Sequence, residues 1–267
     1  MSTLPLDACR PISLDELTGQ ASLLTRIDRK YLLWQEEAAH ILSLTSPAWR
    51  ILDTHGTRQF CYESVYFDTP DRRCYAATAF RRRHRLKFRT RTYLDSETTF
   101  FEVKSKDARG HTVKERIPHA FEHRGELTED DRAFAAQALT REHQRQRTAH
   151  DLSAALTVTY RRATLLQPDG ASRATVDEAL SWSSPDGARQ DAERLVIIET
   201  KSMGHSSPLD ALLWAHGYRP QPGSKYATGM ASLHPELPAN RWHRQLARYW
   251  TPDAAATRTR RTQGSSL

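Results

Sequence analysis

The segment "RRRHRLKFRTRTY", residues 81–93, places seven of the chain's 39 Lys and Arg residues in eleven consecutive positions. So dense a run of like charge suits a folded segment only if alternate side chains point to opposite sides. On a β-strand, residues i, i+2 and i+4 share a face. Arg85, Lys87, Arg89 and Arg91 then form one face, and Leu86, Phe88, Thr90 and Thr92 the other. The apolar members give the second face a core to pack on, and the basic row lies opposite it. Arg81, Arg82 and Arg83 precede the alternation; they read as rim charges steering polyanions or as a plain solvated run.

The same arithmetic extends outward. Asp28 and Lys30 share a face in "RIDRKY", with Arg26 two residues earlier. Glu102 and Lys104 share one opposite Phe101 and Val103, and Thr112, Lys114 and Arg116 share one opposite Val113 and Ile117. Tyr160 aligns with Arg162, Arg173 with Thr175 and Asp177, and Glu199 with Lys201 after the apolar run "LVII". One such strand is ordinary for a half-exposed antiparallel sheet. Six or seven, each with Lys or Arg on the polar face and almost no Gln or Asn, point to a purpose for the charge.

Strands are expected over 23–34, 61–69, 83–93, 98–106, 111–118, 155–166, 172–182 and 193–202, with turn chemistry between most of them. Helices are expected over 35–45, ended by Pro47, over 127–146 with a Thr128 cap, over 207–217, and over 240–249. Ser13 and Glu16 form a capping-box pattern for a short helix. The fold class is α+β: an antiparallel β-barrel or tunnel of about eight strands with helices packed outside. One domain over 10–250 is expected, followed by a disordered basic tail over 251–267.

Net charge is +7, which favours polyanionic partners. No segment has signal-peptide character, and the longest apolar run is far short of a membrane span. Cys9, Cys61 and Cys74 are odd in number and lack metal-ligand spacing, so a reducing, cytoplasmic location is expected. The twelve His residues show no zinc spacing. Trp34, Trp182 and Trp214 read as packing residues.

Closing the sheet with its charged faces inward would remove exposed edges and enclose roughly ten cations. Two like charges about 5 Å apart repel by roughly 3 kcal/mol at an effective dielectric near 20. A triphosphate or polyphosphate would relieve that repulsion, since each phosphoryl unit offers oxygens to Arg and Lys. Glu199, Glu102, Asp28 and Asp177 read either as salt-bridge partners or as ligands for the divalent ion that accompanies such a substrate; Glu199 is the choice for metal.

Taken in order, "RIDRKY", "HRLKFRTRTY", "FEVKSK", "VKER", "VTYRR", "RATVDE", "IIETKS" and "GSKYATGM" resemble the motif set of the VTC domain. That is the polyphosphate polymerase domain of the vacuolar transporter chaperone complex, found also as free-standing bacterial proteins, within the triphosphate tunnel metalloenzymes. The resemblance spans about residues 20–232. It implies a β-tunnel in which the γ-phosphate of ATP extends an inorganic polyphosphate chain, an ATP-polyphosphate phosphotransferase. The implied phosphate-binding residues are Lys30, Arg85, Lys87, Arg89, Lys104, Lys114, Arg162, Arg173, Lys201 and Lys225, with Tyr160 as a supporting hydroxyl. Arg89, Lys87 and Lys201 are cast as the transfer residues, and Glu199 as the ligand of Mn²⁺ or Mg²⁺.

The sister CYTH branch carries E-x-E-x-K where this chain has Arg26-Ile27-Asp28-Arg29-Lys30. Arg26 replaces the first acid, which favours transfer over two-metal hydrolysis. The alternatives are a tunnel triphosphatase acting on inorganic or nucleoside triphosphate, and a non-catalytic polyphosphate- or polyanion-binding module. A separate membrane protein stays open as a partner; specific nucleic-acid binding is not expected, because Phe88 and Tyr93 do not interleave with the basic face.

Overall fold

The computed structural model describes residues 4–20, 27–45, 48–106, 112–141 and 149–250. Arg26, Pro47, the last part of the helix expected over 127–146, and the tail over 251–267 lie outside the described residues. In chain order the elements are β1 (Arg10–Ile12), α1 (Leu14–Gln20), β2 (Ile27–Trp34), α2 (Gln35–Ser43), β3 (Arg50–Leu52), β4 (Phe60–Asp68) and α3 (Arg73–Ala79). Then come β5 (Arg85–Tyr93), β6 (Thr98–Lys106), β7 (Thr112–His119), α4 (Glu129–Arg141), β8 (Ser153–Leu166) and β9 (Arg173–Ser183). The last are β10 (Arg189–Ala192), β11 (Leu195–Ser202), α5 (Pro208–Ala215), α6 (Lys225–Leu233) and α7 (His243–Tyr249). The fold is an antiparallel sheet of many strands with helices, as the alternation implied; the short parallel pairing of β1 with β3 is the exception.

The chain forms two compact units that interleave in sequence. The first comprises residues 1–62, 160–180 and 193–222. Its strands run β2-β11-β9-β8, with β3 antiparallel to β8. Tyr31, Leu33, Ile41, Ile51, Leu165 and Ile198 are central to its core. Asp210, fully buried at the third position of α5, receives Tyr31 Oη and Thr200 Oγ1 at 2.6 Å each and Arg29 Nη1 at 3.2 Å. One acid at a helix start thereby fastens the back faces of β2 and β11, so that their register is held.

The second unit comprises residues 63–159, 181–192 and 223–267. Its strands run β4-β5-β6-β7. Along β5 the residues alternate strictly between half-buried and buried, with the Leu86, Phe88, Thr90 and Thr92 side turned inward. Phe88 and Phe101 share their core with Val65, Phe67, Val103 and Leu139. Thr128 and Asp131 cap each other's backbone at the start of α4. In each unit the path of paired strands ends on an edge among the described residues, β2 in the first and β7 in the second.

The short elements β1, β3, β10, α3 and α6 carry no clear periodicity. Helix α3 forms because Asp68, buried at the end of β4, accepts the Cys74 and Tyr75 N–H groups at 2.8 and 2.9 Å. Trp34 and Trp182 are buried, and Trp214 packs partly buried against the first core. Cys9 and Cys74 are buried and in no disulfide among the described residues. No helix among the described residues is long and apolar enough to cross a membrane.

Gly229 of α6 lies so close to Trp182 that a Cβ there would sit 2.1 Å from the indole Cδ1. Gly229→Ala should therefore destabilise the protein by about 1–3 kcal/mol through overpacking, despite a helix-propensity gain of about 1 kcal/mol. Urea or thermal unfolding measures this, and unchanged stability would contradict the packing.

Candidate functional site

In the first unit, β11 places Glu199 opposite Lys30 of β2, and Lys201 opposite Asp28 of β2 and Arg173 of β9. The Glu199 carboxylate lies 2.8 Å from Lys201 Nζ and 3.3 Å from Lys30 Nζ. Burial alone would raise its pKa, but the two ammoniums hold it well below the ordinary carboxylate range. Burial lowers Lys201, with the nearby Arg162 charge adding to the effect against the pull of Glu199. Lys30, also penalised by burial, is raised by Glu199 and Asp28.

Arg162 of β8 forms a bidentate pair with the fully buried Asp177 of β9, at 2.5 and 2.8 Å. Its guanidinium carbon is 5.2 Å from the Tyr62 ring centre and 5.1 Å from that of Tyr160, and the two rings stack at 5.2 Å. Tyr160 thus meets the site as a ring under a cation. Arg173, opposite Lys201, donates to the Leu17 carbonyl of α1.

In the second unit, three lysines stand directly opposite one another across β5, β6 and β7: Lys87, Lys104 and Lys114. Like charges opposed in this way are destabilising. The next pairing brings Arg89, Glu102 and Arg116 into line. Buried Glu102 receives Arg89 Nη2 at 2.6 Å and Nε at 2.9 Å, and faces Lys114 Nζ at 2.5 Å and Arg91 Nε at 3.9 Å. Burial opposes its charge, yet Arg89, Arg91 and Lys114 hold it far below the usual carboxylate range. Burial in turn lowers Lys114 to about 8; Glu102 opposes the shift, and Arg91 and Arg89 add to it.

Lys87 Nζ donates to Ser224 Oγ at 3.0 Å, at the cap of α6, where Lys225 is the first helical residue. Arg85 turns instead to the Arg82 carbonyl, at 2.6 Å. Arg89 Nη1 also donates to Tyr66 Oη at 2.9 Å. Tyr66 stacks on Tyr226 with ring centres 4.9 Å apart, and Tyr226 Oη donates to Asp68 Oδ2 at 2.5 Å. Tyr62, Tyr66 and Asp68 escaped the sequence reading, although "CYESVYFD" sets Tyr62, Ser64, Tyr66 and Asp68 at spacings of two. Face arithmetic applied to β4 would have found them.

The donor set bears on metal. No group of three His, Cys, Asp or Glu residues exists among the described residues. Asp177 and Glu102 are committed to guanidinium and ammonium partners. Glu199, itself paired with the ammoniums of Lys201 and Lys30, has Asp28 diagonal to it across the β2–β11 pair. One or two carboxylates suit a hydrated divalent ion that shares phosphate oxygens, not an ion caged by protein alone.

The VTC domain family matches residues 25–234. The chain belongs to this family. No curated protein matches the chain. Among solved structures, HpAC1 from Hippeastrum, a candidate adenylyl cyclase described as having a dominant triphosphatase activity, is 16% identical. Its match covers 81% of this chain and all of that one, with a TM-score of 0.47. The PH1819 protein from Pyrococcus horikoshii is 15% identical over 79% of this chain and 99% of its own, with a TM-score of 0.43. Likenesses of that strength carry no functional inference.

Two outcomes test the second unit's electrostatics. Glu102→Gln should lower stability by about 2–4 kcal/mol, the cost of leaving buried cations unpaired, moderated by the half-exposed Lys114. The same change should tighten triphosphate binding by calorimetry, since it removes the negative charge from an anion site. As for pH, Lys114 is cationic below about 8 and neutral above it. Its contribution to triphosphate affinity should therefore fade as pH rises through about 8, whereas Lys114→Arg keeps its charge. The ratio of wild-type to Lys114→Arg affinity should fall across that range; a constant ratio would exclude the assignment.

Proposed function

We propose that this chain is a polyphosphate polymerase, an ATP-polyphosphate phosphotransferase. The observation that carries the reading is the state of two acids, one half-buried and one buried, each held among cations. Glu199 and Glu102 are held strongly ionised by the cations around them. A carboxylate with so low a pKa is a poor general base near neutral pH, so neither is suited to activating water. The terminal phosphate of a polyphosphate chain needs no such base, because its oxygens are already anionic. Membership of the VTC family and Arg26 in place of the first acid of the hydrolase pattern support the same choice.

In the proposed reaction an oxygen of the chain's terminal phosphate forms a bond to the γ-phosphorus of ATP. The bond between that phosphorus and the β–γ bridging oxygen breaks, its electron pair leaves on ADP, and the chain is one unit longer. Catalysis is positioning and neutralisation. The residues proposed to take phosphoryl oxygens are Lys30, Lys201, Arg162, Lys87, Arg89, Lys104 and Lys114. Lys201, Lys87 and Arg89 carry the transfer, and Arg85, Arg173, Lys225 and Tyr160 complete the proposed binding set. Mn²⁺ or Mg²⁺ arriving with the phosphates would be held on the protein side by Glu199 and would neutralise charge between neighbouring phosphoryl groups.

Purified protein incubated with ATP and Mn²⁺ or Mg²⁺ should yield an acid-labile phosphate polymer and equimolar ADP. Glu199→Ala and Arg89→Ala should each reduce the rate by about a hundredfold or more. Orthophosphate without polymer would assign a triphosphatase instead, and tight binding without turnover a polyanion-binding module.

A further inference from the structure

The turn between α3 and β5 carries a feature that the strand faces do not explain. It closes α3 with backbone bonds from Arg81 N–H to the Thr78 carbonyl and from Arg82 N–H to the Ala77 carbonyl. This is the paired bonding of a Schellman cap, whose left-handed position glycine usually fills. Arg81 occupies it here, at φ 53°, and His84 repeats the left-handed conformation three residues on. An L-residue with a Cβ is strained there, so glycine would fold better. Strain kept at such a position points to a use for the side chain.

That side chain joins a cluster of cations. Arg241, preceding α7, donates to the Thr78 carbonyl at 3.4 Å. Burial lowers the pKa of Arg241, and the charges of Arg81 and Arg85 lower it further; Arg85 is lowered by burial and by Arg81. Arg81, Arg85 and Arg241 therefore feel one another's charge, and none of them pairs with a carboxylate among the described residues. Arg82 and Arg83 are exposed beside them. Arg85 is also the first residue of β5, one same-face step of about 7 Å from Lys87. A cationic track thus runs from the lysine row on to the turn, within one unit.

We infer that Arg81 and Arg241, with Arg85, form an outer site that grips the part of a polyphosphate chain extending beyond the lysine row, so that affinity grows with chain length. The inference rests on the polyphosphate reading above. Guanidinium forks match successive phosphates. Phe80, 58% exposed, is the one large apolar side chain exposed at this turn among the described residues. That is ordinary for a surface and too little for insertion into a bilayer.

The test compares wild type with Arg81→Gly and Arg241→Ala, binding triphosphate and polyphosphate of about a hundred units by calorimetry at fixed salt. Wild type should bind the long chain more tightly per site than triphosphate. Each variant should lose about fivefold in long-chain affinity, the upper value of one solvent-exposed ion pair, with triphosphate affinity unchanged. Arg81→Gly should at the same time raise the melting temperature, which excludes misfolding as the cause. Variants that bind the long chain as wild type does would overturn the outer site and leave the polymerase reading standing. Loss of long-chain affinity in a protein that makes no polymer would uphold the site while removing that reading. Wild type binding neither ligand would overturn both. Capture of phosphatidylserine vesicles lost in Arg81→Gly, with long-chain affinity intact, would assign the cluster to a membrane surface and overturn the proposal.

Discussion

A carboxylate clasped between cations is the interaction on which both charged strand faces rest. Glu199 lies between Lys30 and Lys201 in one unit, and Glu102 between Arg89 and Lys114 in the other. Without these acids the faces could not leave water, since opposed cations repel by several kcal/mol even at an effective dielectric of 20. With more acids the faces would be neutral and indifferent to phosphate. In the second unit, one acid to three cations leaves the cluster folded and still positive. That surplus is the property a phosphate chain can exploit.

The charged faces are only as well placed as the strands beneath them, and in each unit a helix-capping acid helps to hold those strands. Asp210 ties Arg29, Tyr31 and Thr200 to α5, on the sides of β2 and β11 away from Lys30 and Glu199. Trp214 extends the network by donating to Tyr31 Oη at 2.9 Å. Asp68 caps α3 and takes the Tyr226 hydroxyl, and the stacked Tyr66 meets Arg89. Both networks spend helix-capping carboxylates on orienting strands, so preorganisation of the basic rows is bound up with the secondary structure itself.

The strands and their faces were legible because a period of two needs only a few residues to declare itself. Leu86 and Phe88 against Lys87 and Arg89 sufficed for β5, and the Ser13–Glu16 capping box and the Thr128 cap marked helix starts through local hydrogen bonding. Helix α3 was not legible: its first turn depends on Asp68, which precedes it in a strand, and on Tyr226, 158 residues away. Helix α6 was hidden by its small residues, which are there to admit Trp182. In the site, residue types could be read but pairings could not. That Arg173 turns to the Leu17 carbonyl while Arg162 grips Asp177 depends on neighbours brought in by the fold.

The strict alternation along β5 has a consequence for how this strand can change over time. Core face and basic row are written in the same nine residues, offset by one. Inserting or deleting a single residue would exchange them, sending Arg89 toward Phe101 and Phe88 toward Glu102. Lysine can replace arginine on one side, and leucine phenylalanine on the other, without disturbing that frame. Length changes are admissible only in pairs or in the turns. The strand therefore behaves as a segment whose chemistry can drift but whose length is frozen.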